Sequence, residues 1–343
     1  MYKYVFLAVI MGFVAGCKES KDLPDVSAIA VDIKITRADE DLLKVNSKDA
    51  LQQLITQDSA FYMLYTQEIF PMNRASMDSF YMDVTELKQD TIFIQLAEKV
   101  SKKYPKLDDV QAQLKSLFQY LIYYFPDQVT VPNFYTFISE FAYQVFIFED
   151  NDGKDAIGLG LDMFIYPDMN YKSINPDNTN FSDYITRTWN RDHIARKVAD
   201  IYITNIAGQA SGMRLLDQMI HNGKMLYLTT LVMPTTSDTI IHEWTPTQLA
   251  FCKDSELEMW TFFLNEKLIY ETNPGKISKY INPSPSSPDM PLGAPGRTAN
   301  YLGLQIIRSY MDRYPETTLT ELIQMNDSQK LLELSKYKPK QKK

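Results

Sequence analysis

VTVPNFYTFI (129–138), YQVFIFE (143–149), DNDGKD (150–155) and AIGLGLDMFIY (156–166) follow one another in the middle of the chain. The three apolar runs are rich in β-branched and aromatic residues, which suit a pleated, half-buried surface, and they predict strands. Asn151, Asp152 and Gly153 tolerate the positive φ of a tight reversal, so the last two runs are expected to close as a hairpin. The same loop superficially resembles a calcium loop. Placing Gly153 at the required glycine puts Phe148 first and Leu159 twelfth, and neither offers a side-chain oxygen, so calcium is excluded. Gly158 and Gly160 lack the third glycine and the acidic partner of a dinucleotide fingerprint; close backbone packing explains them better.

Outward from this stretch, Ile29, Val31, Ile33 and Ile35 alternate with Asp32, Lys34 and Thr36, predicting a strand over 29–36 that joins the same sheet. Ser47 and Asp49 are candidate caps for a helix carrying Leu51, Leu54 and Ile55, with further helical segments near 58–70 and 84–100. The clearest helix runs from Leu107 to Phe125, where apolar residues recur at three and four and Pro126 stops it. After Pro167 the chain reads as loop through Asn180. Helices are then expected at 184–206, 211–221, 224–232, 246–270 with a break near Asp254, and 296–313, with two short ones before the tail. No internal repeat is found. The expected architecture is helix-dominated α+β, a small antiparallel-containing sheet built from 29–36 and 129–164, in one domain spanning 29–336.

Composition narrows the function. The chain has 343 residues, 45% hydrophobic, enough for a substantial core, and a formal net charge of -8, the wrong sign for a nucleic-acid partner. Two cysteines give no disulfide framework. With only three histidines, no Cys/His metal cluster is expected, and no cofactor either.

The first sixteen residues combine Lys3, an apolar run over 5–14 and the small pair Ala15-Gly16, the pattern of an export signal too short to span a bilayer. Val14-Ala15-Gly16-Cys17 resembles a bacterial lipobox, which predicts acylation of Cys17 and removal of 1–16. Residues 17–28 then read as a charged tether broken by Pro24, and 337–343 as a basic tail. An acidic body does not favour lying on anionic lipid, so the acyl chains are the expected membrane contact.

Residues 282–296, NPSPSSPDMPLGAPG, hold five prolines and no periodicity, the mark of a binding loop or a mobile lid. In the helix that follows, Ala299, Leu302, Gly303, Ile306 and Tyr310 form an apolar face. Arg297, Tyr301, Gln305 and Arg308 form a stripe beside it. A cation in the first turn opposes the helix dipole, so Arg297 calls for an anionic neighbour, either inside the domain or on a partner. Arg297, Tyr301 and Arg308 are the candidate interaction site.

Cys17, AVDIKITRADEDLL (30–43), LFQYLIYYFP (117–126), IGLGLDMFIYP (157–167), LLDQMIHNGKMLYL (215–228), PGRTANYLGLQIIRSYM (295–311) and SKYKP (335–339) resemble, in that order, the gliding-motility lipoproteins of the GldB family of Bacteroidetes. The resemblance implies an envelope lipoprotein without enzymatic activity, lipid-anchored at the outer membrane facing the periplasm or at the cell surface. It further implies partners among other envelope lipoproteins, the gliding machinery and type IX protein secretion.

A more distant resemblance is to zinc proteases with an HExxH helix, which implies a zincin-like fold. That chemistry needs two imidazoles one turn apart and a glutamate base. Here Arg191-Asp192-His193-Ile194-Ala195-Arg196 keeps one histidine, with no glutamate, and Asn222-Gly223 stands where a third ligand would come. A second pair, His242-Glu243, has Pro246 in the partner position. The expectation is a pseudoenzyme with no metal. Asp192, His193, Arg196 and Asn222 either line a relic pocket or, for Asp192 and Arg196, form an ordinary i,i+4 surface pair. Two other readings stay open: a hydrolase or peptidase of zincin descent, and a binding module for a cell-wall ligand, suggested by 22 Tyr and the irregular loop.

Overall fold

A computed structural model describes residues 23–339. The export signal 1–16, Cys17 and the first part of the tether lie outside the described residues, as do 340–343. The described residues form sixteen α-helices and one four-stranded sheet, an α+β fold dominated by helix.

Strands β1 (Ile35–Thr36), β2 (Asn133–Phe137), β3 (Val145–Glu149) and β4 (Asp155–Gly160) are ordered β1-β2-β4-β3. β3 and β4 form the expected antiparallel hairpin, with Ile147 opposite Ile157. Its turn is held by Asp150, whose carboxylate accepts from the Asp152 and Lys154 amides, and Gly153 takes a φ of 72°. The two β2 pairings are parallel.

The strand expected over 29–36 shrinks to two residues. Val31 and Ile33 are buried as their alternation requires, but bonding to β2 begins only at Lys34, whose carbonyl accepts from the Phe134 amide, and helix side chains take carbonyls before it. Gln119 donates to the Val26 and Ile29 carbonyls and Gln111 to that of Ile33, in each case from helix Asp108–Tyr124. These side chains satisfy acceptors that a strand would have paired. The expected strand over 156–166 likewise ends at Gly160, where the chain tightens into the 3-10 turn Leu161–Phe164. There the buried Asp162 carboxylate accepts from the Ser139 and Phe141 amides, pinning a loop in which Glu140 and Phe141 both take positive φ.

The helix expected over 184–206 is divided. Asp183–Thr186 is one short helix, Asn190 caps the turn Arg191–His193, and Ile194–Ala207 runs on from it. Conversely, 211–221 and 224–232 are one helix, Leu215–Val232, continuous through Gly223. The break near Asp254 is present between Pro246–Asp254 and Glu256–Asn265. Helices Asp238–His242 and Pro274–Ile281 were not expected; both are short.

Apolar side chains gather into two cores. One combines the sheet with the helices up to residue 241; the other is formed by helices from residue 215 to the C-terminal end of the described chain. Helix Leu215–Val232 serves both, giving Leu228 and Val232 to the first and Met219 and Ile220 to the second. Helix Thr298–Arg313 crosses it with Gly303 against Gly223, which brings the two backbones into contact. The functional candidates lie beside this junction.

Candidate functional site: a buried carboxylate ringed by cations

Helix Asp238–His242 is stopped by Glu243, which takes the left-handed conformation at φ 55°, ψ 42°. Thr245 then caps the next helix with a reciprocal box: the Gln248 amide donates to Thr245 Oγ1 and the Thr245 amide to Gln248 Oε1. Pro246 therefore opens a second helix at its first position, where a missing N–H costs nothing. The sharp corner between the two helices leaves the Glu243 carboxylate buried. His242 stacks on Trp244 beside it, centroids 4.8 Å apart.

Four cations surround this one acid. Lys197 Nζ pairs with Glu243 Oε1, and Arg297 Nη1 lies 2.5 Å from Oε2. Arg196, buried next to Lys197, donates from Nε to the Ile241 carbonyl and pairs with Asp200 at the rim. Arg187 donates from Nη2 to Gln248 Oε1 at 2.8 Å and to the Glu243 carbonyl at 3.3 Å, while its buried Nε has no acceptor. Burial alone would raise the Glu243 carboxyl. The fields of Lys197, Arg297 and Arg196 outweigh that and hold it well below the usual carboxylate range. Burial pulls Arg196 down to about 10 and lowers Lys197 and Arg187 as well, the last helped by Arg297.

Two hollows meet at this cluster. The larger, about 280 Å³, lies between helices Ile194–Ala207, Leu215–Val232 and Thr298–Arg313, with Arg196, Asn222, Thr229 and Asn300 on its walls. The smaller, about 70 Å³, is lined by Arg187, Thr188, Lys197 and Ser284. Glu243, Trp244, Pro283 and Arg297 border both.

Of the relic-pocket residues, Arg196 and Asn222 do share a wall of the larger hollow, and Asn222 Nδ2 donates to Asn300 Oδ1 at 2.9 Å. Asp192 lines a different concavity with Gln113 and Ser116, and the proposed Asp192 pair with Arg196 does not form; Asp200, one turn further on, takes that arginine. His193 is tied to Asn190 Oδ1 at 2.9 Å, and burial lowers it to about 4, so it is neutral at pH 7. Among the described residues, no three His, Cys, Asp or Glu side chains are gathered where they could hold a metal ion.

Of the interaction candidates, Arg297 stands at the end of its helix in a left-handed conformation and has its anionic neighbour inside the domain, Glu243. Tyr301 is 4% exposed and turned into the second core, its hydroxyl 3.4 Å from Glu256 Oε2. Arg308 is within electrostatic reach of Asp238 and His242. The proline-rich loop is held by its own bonds: Ser287 Oγ donates to the Pro295 carbonyl, the Ser287 amide to Ala294, and the Gly296 amide to Ser284. Tyr280 adds a bond to the Pro288 carbonyl. At its tip, Leu292 is fully exposed. Sequence reading missed Glu243, Lys197 and Arg187. The only signal was the His242-Glu243 pair, whose acid stands at the centre of the ion pairs.

These features define a helix-dominated α+β protein with a charged junction between two cores, and no described helix is long and apolar enough to cross a membrane. The chain belongs to the GldB family: the family model for gliding motility protein GldB matches residues 19–339, nearly its whole length. Comparison with curated proteins and with solved structures finds no match.

Proposed function

We propose that this protein is an envelope lipoprotein that supports gliding motility, and type IX protein secretion with it, by binding protein partners and without catalysis. Membership of a motility-associated lipoprotein family, not a known enzyme family, supports the first part. Acyl chains on Cys17 anchor it to the outer membrane, facing the periplasm. The observation that carries the interaction reading is the 282–297 loop. It is irregular, yet cross-linked by hydrogen bonds, and it presents the exposed apolar Leu292 from a rigid base. A preordered loop loses little entropy on docking, and an exposed leucine on such a loop is a natural anchor for a partner's pocket. The test is affinity capture of the acylated protein from native envelopes, compared with a Leu292→Asp variant. Loss of specific partners in the variant supports the reading; an unchanged partner set refutes this surface.

A further inference from the structure

Beyond partner docking, we infer that the two hollows form one binding site for a small organic oxyanion. Its carboxylate or phosphate head seats in the smaller hollow against Arg187, Lys197 and Arg297. Its polar body fills the larger one beside Asn222, Asn300 and Trp244.

Charge is the first argument. Among the described residues the buried Arg196 and the half-buried Arg187, Lys197 and Arg297 face the two acids Glu243 and Asp200, a surplus of two positive charges on a chain whose net charge is -8. Gathering cations in excess of their counter-ions, partly out of water, is costly, and an anion bound there offsets that cost. Arg187 makes the point individually: its acceptors are a carboxamide and a carbonyl, both neutral, and its Nε has none. Neither acceptor is a carboxylate, so the Arg187 guanidinium at the wall of the smaller hollow has no charged partner of its own, which suits a carboxylate or phosphate there.

Size and lining give the second argument. A volume of about 70 Å³ suits a single oxyanion group, and the adjoining 280 Å³ is near the lower end for organic ligands, roughly 300 Å³. The larger hollow offers amides at Asn222 and Asn300 and the indole of Trp244, a lining that suits hydroxyls and a sugar-like face. Asn222 Nδ2 and Asn300 Nδ2 are fixed by bonds to Asn300 Oδ1 and the Ile281 carbonyl, so these walls are preorganised. Glu243 plays a positioning role, holding Lys197 and Arg297 on opposite carboxylate oxygens.

The test is fluorescence titration of the purified full chain at constant ionic strength in chloride, with Trp244→Phe identifying the responding indole. The probes are glucuronate, glucose 6-phosphate, inorganic phosphate and glucose. At least one of the two sugar anions should saturate the signal and bind about tenfold or more tightly than inorganic phosphate, with glucose inert. Which of them does so tells a carboxylate from a phosphate head. Arg187→Gln should weaken that binding by about tenfold or more, the worth of one charge-assisted bond. If that variant does not fold, Asn300→Ala carries the test: the sugar anion weakens while inorganic phosphate is unchanged. Inorganic phosphate binding as tightly as both sugar anions would overturn the organic ligand. No saturable binding of any anion above chloride, or unchanged affinity in the variants, would overturn the site.

Discussion

Gly223 and Gly303 touch where helices Leu215–Val232 and Thr298–Arg313 cross: a methyl group on Gly223 would fall on the Gly303 backbone, and one on Gly303 on the Met219 carbonyl. No side chain can move aside there, because both obstacles are main chain. The crossing fixes the distance between Asn222 and Asn300, one residue and three residues away, and so sets the shape of the larger hollow.

Gly303→Ala should therefore destabilise the protein by about 3 kcal/mol, the upper range for overpacking, despite the better helix propensity of alanine. Urea unfolding measures it. A stability equal to wild type would mean that the helices can separate freely.

Glu243→Gln should cost about 2–3 kcal/mol, less than for a fully buried pair, since the half-buried Lys197 and Arg297 would lose the buried carboxylate that each of them meets. The pH dependence has a definite sign. The folded carboxyl sits far below its ordinary value of 4.5, so its stabilisation is complete above that pH and is lost as pH falls through the folded value. Acid titration of unfolding should be shallower in the variant below pH 4.5.

Asp162 acts in the opposite sense. Burial pushes its carboxyl from 3.8 to about 6, against the bonds donated by the Phe141 and Ser139 amides. In that interval the folded state binds the proton and the unfolded state does not, so this group's contribution falls as pH rises from 4 to 6. Asp162→Asn should abolish that component. It should also cost about 1–2 kcal/mol, because an amide offers one acceptor oxygen where several donors converge. Comparing wild-type and variant unfolding at pH 4 and pH 6 decides it.

Cys17→Ser should leave a folded protein that no longer sediments with membranes, because anchoring is assigned to acyl chains and two or more are needed for stable attachment. Recovery of the variant in the membrane fraction after a high-salt wash would contradict lipidation as the anchor.

Much of the fold was legible from local pattern. Alternation and Asn151-Asp152-Gly153 marked the hairpin, and the apolar spacing from Leu107 to Phe125 marked the helix Asp108–Tyr124. What sequence could not reveal depended on partners distant along the chain. The 29–34 segment has strand alternation, yet Gln111 and Gln119 take its carbonyls from a helix some eighty to ninety residues away. Gly223 reads as a helix breaker but is held in place by Gly303. In the site, Arg297 pointed correctly to a nearby anion, but nothing in its surroundings named Glu243, 54 residues earlier. Tyr301 lay on the polar stripe by periodicity, while packing against His242 and Trp244 drew it inward. A periodic stripe records helix phase, and which phase is buried depends on how neighbours stack around it.

Colony spreading by cells whose only copy carries Leu292→Asp tests most directly the proposal that the protein works through contacts made by its proline-rich loop. The leucine is fully exposed, so the substitution leaves the core and the Glu243 cluster intact. Loss of spreading, with the variant as abundant, folded and membrane-attached as wild type, is the predicted result. Normal spreading under those conditions would contradict it.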